Sequence, residues 1–293
     1  MTHIEVHEFG AQHTELKLSL VENYLKAFTG ALRSQFEELW YIDAFAGTGS
    51  RTVRVEARDG DLFEAPVPEQ VEHRRGSARI AIDVTPRFDR LIFIDSKPRH
   101  CTALRELKSQ YPEREIVVIE GDANHALQSA IKWDEWRSTR AVLFLDPYGM
   151  DVEWPTLESI ARTGQVDVWF LFSLSGLYRQ ATRSATDITG DKRAAITRIL
   201  GTDGWEKELY SDSAPDLFGS TQSQRNADVR GLENYVKRRL ETIFPKVFEP
   251  KALPVNSGAQ RFSLFLCISN ASPKALGLAT RIGNHILKAG NSS

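Results

Sequence analysis

The sequence predicts an α/β fold: a mainly parallel, seven-stranded sheet ending in an antiparallel hairpin, with helices on both faces. Three observations predict it. Four short apolar runs, at 40–43, 90–95, 115–122 and 140–146, each finish on a carboxylate: Asp43, Asp95, Asp122 and Asp146. Segments of helical periodicity separate the later runs. The first run leads straight into Ala44-Phe-Ala-Gly-Thr-Gly-Ser50, where glycines at 47 and 49 permit positive φ and let the backbone approach a ligand closely.

The elements follow in order. Residues 14–32 carry Leu16, Leu18, Leu20, Val21, Tyr24, Leu25 and Phe28 close to a helical stripe, with His13-Thr14 as a capping start. After the glycine turn, 51–75 is charged, contains Pro66 and Pro68 and shows no sustained periodicity, so it reads as a looped insertion beside the expected ligand. Strand 90–95, helix 98–110, strand 115–121, short helix 124–131, strand 140–145, helix 154–162 and strand 166–174 then alternate, the pattern of a parallel sheet. Beyond Ser175 the pattern changes. A polar stretch with Arg179, Arg183, Lys192, Arg193 and Arg198 leads into helical segments near 190–200 and 225–243, so 176–245 reads as a helical elaboration that meets substrate or a partner. Strands 247–255 and 261–269 flank the turn signal Asn256-Ser-Gly-Ala, and a helix over 273–288 closes a single domain spanning the 293 residues.

Composition narrows the function classes. With 41% hydrophobic and 26% charged residues, the chain carries enough apolar material for an ordinary packed core. A formal charge of −2 and a pI near 6.4 argue against a uniformly basic nucleic-acid coat but leave room for a local basic patch. Cys101 and Cys267 lie far apart without metal-ligand spacing, so both are expected reduced and no zinc or iron–sulfur site is indicated. His100, His125 and His285 show no partner spacing either, and Trp133, Trp136 and Trp169 read as packing residues. No apolar run long enough to span a membrane and no secretory N-terminus is present, so the expected location is the cytoplasm.

Ligands of open α/β sheets bind at the carboxyl ends of the strands, where the four acids converge. A dinucleotide fingerprint fails, because Thr52 stands where a third glycine is needed and the next strand begins only at 90. A phosphate-binding loop fails because no Gly-Lys-Ser/Thr follows the turn. Five parallel strands with a terminal hairpin instead fit the Rossmann-like sheet of class I methyltransferases. S-adenosylmethionine presents an ammonium, a carboxylate, two ribose hydroxyls and an adenine amine, and each has a counterpart here. Gly47, Thr48 and Gly49, with Phe45 and Ala46, offer backbone to the methionine arm. Asp43 accepts from an amine or hydroxyl, Asp95 with Ser96 meets the ribose diol, and Asp122 with Ala123 and Asn124 meets the adenine edge. For each acid the alternative is a helix N-cap.

Asp146-Pro147-Tyr148-Gly149 resembles the Asp/Asn-Pro-Pro-Tyr/Phe motif of methyltransferases that act on exocyclic amino groups of nucleobases, with the second proline missing. The resemblance implies that Asp146 and the backbone at Pro147 hold the amine while Tyr148 stacks on a flipped base. In the alternative, a rigid loop simply packs Tyr148. Phe45-Ala-Gly-Thr-Gly49 is similar to the cofactor loop of ribosomal-RNA amino methyltransferases. At the level of the whole chain, His13-Thr14, Lys17, Tyr24-Leu25, Tyr41-Ile-Asp-Ala-Phe-Ala-Gly47, Phe93-Ile-Asp95, Gly121-Asp-Ala-Asn124, Phe144-Leu-Asp-Pro-Tyr-Gly149, Trp154 and Asp167 resemble the three-Cys-motif partner protein family over 13–175. Thr48 stands where that family commonly has proline. The resemblance implies a methyltransferase-like fold and a companion with a three-cysteine motif, similar to a radical S-adenosylmethionine enzyme. It also implies that Lys17 contacts the cofactor or Asp146. Two functions follow as expectations: methyl transfer to a nucleobase amine in nucleic acid, or a non-catalytic or cofactor-binding role beside the three-cysteine protein.

Overall fold

The computed structural model describes residues 3–55, 70–130, 136, 138–212, 222–253 and 260–289. Helix α1 (His3–Leu32) precedes the central strand β1 (Glu38–Asp43). An antiparallel ribbon of β2 (Ser50–Val55) and β3 (Gln70–Arg75) leads into α2 (Ser77–Asp83), β4 (Arg90–Asp95), α3 (Pro98–Ser109), β5 (Glu115–Glu120) and α4 (Ala123–Ala130). Then come β6 (Thr139–Leu145), α5 (Trp154–Thr163), β7 (Val166–Phe172), α6 (Leu174–Gln180), α7 (Gly190–Leu200) and α8 (Trp205–Leu209). A small ribbon of β8 (Tyr210–Asp212) and β9 (Ser223–Arg225), helix α9 (Val229–Glu241), strands β10 (Lys246–Val247), β11 (Lys251–Leu253) and β12 (Phe262–Ile268) and helix α10 (Pro273–Ala289) complete the chain.

The main sheet runs β10-β12-β7-β6-β1-β4-β5, with β11 also on β12. Strands β5, β4, β1, β6 and β7 are parallel, and β12 is antiparallel to β7. The chain steps from β1 to β4 on one side and later to β6 on the other, so strand order reverses between β1 and β6, the place where open α/β sheets bind ligands.

The central strands β1, β4, β6, β7 and β12 are buried on both faces, and their alternation sorts side chains into two cores. Trp40, Ile42, Ile92, Leu143, Phe170 and Phe265 pack beneath α4, α5 and α7 to α9. Leu39, Tyr41, Phe93, Phe144, Trp169 and Leu264 pack beneath α1, α2, α3 and α10. Full burial of side chains this large stabilises by roughly 1.5–3 kcal/mol each. Proline in the first turn opens α3 and α5, and Gly164, at φ 62°, ends α5 in the left-handed conformation.

The structure departs from the sequence reading in several details. Helix α1 starts at His3 rather than near 14, and 3–13 holds no proline to stop it. The stretch 51–75 is a β-ribbon at its ends, with Ser50 opposite Arg75 and Val55 opposite Gln70. Its β-branched Thr52, Val53, Val55 and Val71 favour strand despite the charge around them; Pro66 and Pro68 lie outside the described residues. Helices α2, α6 and α8 are additional, α6 taking the place of the predicted last residue of strand 166–174, and the β8–β9 ribbon interrupts the stretch 176–245 that reads as helical. The predicted strand 247–255 is two strands, giving eight in the sheet. Val247 pairs with Cys267 but Lys251 with Leu264, so four steps along one strand face three along the other. That is a bulge, and Pro250, which has no N–H for a ladder, sits in it. The turn at 256–259 lies outside the described residues.

Candidate functional site

Asp43, Asp95 and Asp146 extend the register of Tyr41, Phe93 and Phe144, which places all three at the carboxyl ends of adjacent strands on the α1 face. Between them lies the glycine turn. Ala44 N–H donates to Phe144 O at 3.1 Å and Ala46 N–H to Ile94 O at 3.0 Å, so the turn is tied to the strands on both sides. Gly47 has φ 61° and Gly49 φ 73°, conformations that a side chain strains. The two glycines answer different needs. A Cβ on Gly47 would meet nothing within 4 Å, leaving open space in front of the backbone; a Cβ on Gly49 would lie 2.8 Å from Leu107 Cδ2, so that glycine lets α3 pack. Phe45 is half-buried, Ala46 buried and Thr48 exposed.

Asp43 is fully buried. Phe45 N–H donates to its Oδ1 at 3.3 Å, Tyr41 O–H to its Oδ2 at 3.4 Å, and Ser77 supplies a third hydrogen bond. It therefore anchors the turn from below. Burial, reinforced by the negative charge of Asp146, pushes its carboxyl up to about 7. Lys17, buried on α1, donates through Nζ to Oδ2 of Asp146, which is partly exposed. Oδ1 of Asp146 has no partner among the described residues.

Asp95 is buried and its carboxylate is engaged within the chain. Oδ2 accepts from Gly47 N–H and pairs with His100 Nδ1, both at 3.0 Å, while Oδ1 accepts from Lys97 N–H at 2.8 Å. Asp95 thus fastens the glycine turn to the start of α3, and of the two ribose hydroxyls expected of it only one could reach a remaining lone pair, on Oδ1. Ser96 beside it is exposed. Asp122 is exposed and caps α4, its Oδ1 accepting His125 N–H at 2.9 Å, which leaves the other oxygen without a partner among the described residues. Ala123 is buried at the start of α4. Asn124 does not face the turn. Its Nδ2 donates to Asp151 O and its Oδ1 accepts Glu153 N–H, both at 2.9 Å, so it clamps the loop after β6.

That loop carries Pro147, buried, and Tyr148, 66% exposed, the most exposed large hydrophobic side chain described. Lys97 Nζ sits 3.9 Å from the Tyr148 ring centroid. A Cβ on Gly176 of α6 would lie 3.3 Å from Met150 Cγ, so α6 supports the loop closely. Ser77, Lys97 and His100 are the site residues that sequence reasoning missed. Lys97 had a signal, two residues beyond a strand-end acid; Ser77 had none, because α2 was not anticipated.

The site's surroundings are otherwise plain. Trp136 and Trp169 are buried packing residues, His100 is a satisfied buried histidine, and His125 and His285 are exposed; Trp133 lies outside the described residues. Both cysteines are free and buried. Among the described residues no group of three or more His, Cys, Asp or Glu side chains is placed to hold a metal ion, and no helix is long and apolar enough to cross a membrane.

No family model and no curated protein matches the chain. Solved structures are similar at low identity. A protein of Legionella pneumophila aligns over 89% of both chains at 12% identity and a TM-score of 0.48. A provisional methyltransferase of Thermobifida fusca aligns over 89% of this chain and 81% of its own, at 10% identity and a TM-score of 0.42. An S-adenosylmethionine-dependent methyltransferase of Clostridium acetobutylicum aligns over 84% and 91%, at 10% identity and 0.33. The strand order, the single antiparallel strand β12 beside β7 and the glycine turn after the central strand give this chain the Rossmann-like fold of class I methyltransferases.

Proposed function

We propose that the chain is an S-adenosylmethionine-dependent methyltransferase acting on an exocyclic amino group of a nucleobase in nucleic acid. The observation that carries the reading is the pairing, at the point where strand order reverses, of an open glycine turn at Gly47 with a partly exposed acid and an exposed aromatic at Asp146 and Tyr148. The residues fit the cofactor in part. The open space in front of Gly47 suits the methionine arm, and the second oxygen of Asp122 suits the adenine amine. S-adenosylmethionine, when bound, supplies an electrophilic methyl group. Asp146 Oδ1 accepts one hydrogen of the target amine and so aims the nitrogen lone pair, Lys17 fixes the orientation of that carboxylate, and Tyr148 stacks on the base. Transfer of labelled methyl from S-adenosylmethionine to single-stranded DNA or RNA, lost in Asp146→Ala, tests the reading; full activity in that variant would remove Asp146 from the mechanism.

A second reading rests on its own observation. Both oxygens of Asp95 are engaged and Asp146 is paired with Lys17, which suits a methyltransferase-shaped partner of a three-cysteine, radical-enzyme-like protein. Co-purification with such a protein, together with no binding of S-adenosylmethionine by the folded chain, would favour this role over catalysis.

A further inference from the structure

At the opposite, amino end of the sheet, α1 and α10 enclose a cavity of about 130 Å³. Tyr24 and Phe28 of α1, Phe36 in the connection to β1 and Leu278 of α10 make its apolar walls, Arg140 of β6 and Asp167 of β7 lie at the strands, and Lys274 borders it. Val142 pairs with Asp167, so Arg140, two residues before Val142, is a diagonal neighbour of Asp167 on the same face of the sheet. The guanidinium and the carboxylate share the cavity, yet neither a salt bridge nor a hydrogen bond joins them. Arg140 lies over the Phe36 ring at 4.3 Å and uses Nη1 to reach Thr139 O at 3.0 Å; its other N–H groups have no partner among the described residues. Asp167 accepts from Tyr24 O–H at 2.7 Å on Oδ2, while Oδ1 has no partner among the described residues. Burial pushes this carboxyl up to about 7 and pushes the Arg140 guanidinium down.

A donor fork and an acceptor held apart in one apolar cavity define the shape of what fits between them. A cationic ligand meets Arg140 and Lys274, and an anionic ligand meets Asp167, so neither charge sign is matched. A neutral planar ring whose edge carries an N–H beside a C=O satisfies both groups at once and stacks against the phenyl walls. We propose that this cavity is a second binding site, separate from the strand-end site, for a small lactam or imide of one or two rings. Its carbonyl accepts from Arg140, its N–H donates to Asp167 Oδ1, and the ring lies among Phe28, Phe36 and Leu278.

The probe is isoindolinone, which carries such an edge, titrated into the full chain above pH 7 and followed by saturation-transfer NMR, with N-methylisoindolinone as the comparison. The site predicts saturable binding of isoindolinone and at least about tenfold weaker binding of the N-methyl form, which cannot donate to Asp167. Leu278→Trp and, independently, Ala275→Trp fill the cavity and should abolish the signal in folded protein. Equal binding of the two compounds, no binding by the folded wild-type chain, or undiminished binding by both tryptophan variants would overturn the proposal.

Discussion

The two ends of the sheet hold the same chemical group in different company. Asp43 at the carboxyl end and Asp167 at the amino end both sit on the α1 face, and burial is the leading cause that pushes each carboxyl up to about 7. Asp43 is saturated by its own chain, through Tyr41, Ser77 and the Phe45 N–H, and is pressed further by Asp146. Asp167 has Tyr24 on one oxygen and a cavity on the other. A buried acid closed off by its neighbours shapes a turn, whereas one left open beside an arginine that makes no ion pair among the described residues can read a ligand. Helix α1 serves both ends: Lys17 reaches Asp146, and Tyr24, two turns and about 10 Å further along the axis, reaches Asp167.

The largest separation between the ends is expected in catalysis. Asp146→Ala should lower methyl transfer on the order of a thousandfold, because it removes the acceptor that orients the amine, while cofactor affinity and the isoindolinone signal stay as they are. A steady-state assay beside the two titrations checks this.

Stability against pH is the next test. In the folded chain Asp43 and Asp167 hold protons up to about pH 7, whereas in the unfolded chain they release them near the ordinary value of 3.8. Between those values the folded state binds more protons, so the contribution of each group is fully present below the lower value and is lost as pH rises through 7. Each carries up to about 4 kcal/mol across that window. Urea unfolding as a function of pH should therefore show stability falling toward neutrality, with Asp43→Asn and Asp167→Asn each flattening part of the slope. If Asp146 contributes to Asp43 as its proximity indicates, Asp146→Asn also shifts the Asp43 share of the transition downward and leaves the Asp167 share in place.

Smaller effects sharpen the comparison. Lys17→Met leaves Asp146 without its cation and should cost about 1–3 kcal/mol in unfolding free energy, less than a fully buried pair because Asp146 is partly exposed. Tyr24→Phe removes one hydrogen bond to Asp167 and should cost about 1 kcal/mol, with the Asp167 transition moving to higher pH and Asp43 unaffected.

Legibility in the sequence follows the same division. The carboxyl end could be read because its parts are contiguous: a strand, its terminal acid and a glycine turn occupy 38–49, and Asp146 and Tyr148 stand in one tetrapeptide. What escaped there depends on side-chain reach. Nothing local says that Asn124 turns toward Asp151 and Glu153, or that Asp95 is filled by Gly47, Lys97 and His100. The β2–β3 ribbon escaped because its arginines hid a period-two pattern. The amino-end cavity was not legible at all, since its walls come from α1, β6, β7 and α10, and only packing brings Arg140 and Asp167 to one face.

The proposed role of the open turn at Gly47 as cofactor cradle is tested by calorimetric titration of the wild-type chain and of Gly47→Val with S-adenosylhomocysteine. A Val side chain strains the backbone by about 1–2 kcal/mol at this positive φ and fills the open space. A cradle at Gly47 gives binding by the wild-type chain and a loss of at least about a hundredfold in a variant that still unfolds cooperatively. Equal affinity in the two proteins, or no binding by folded wild-type chain, would contradict it.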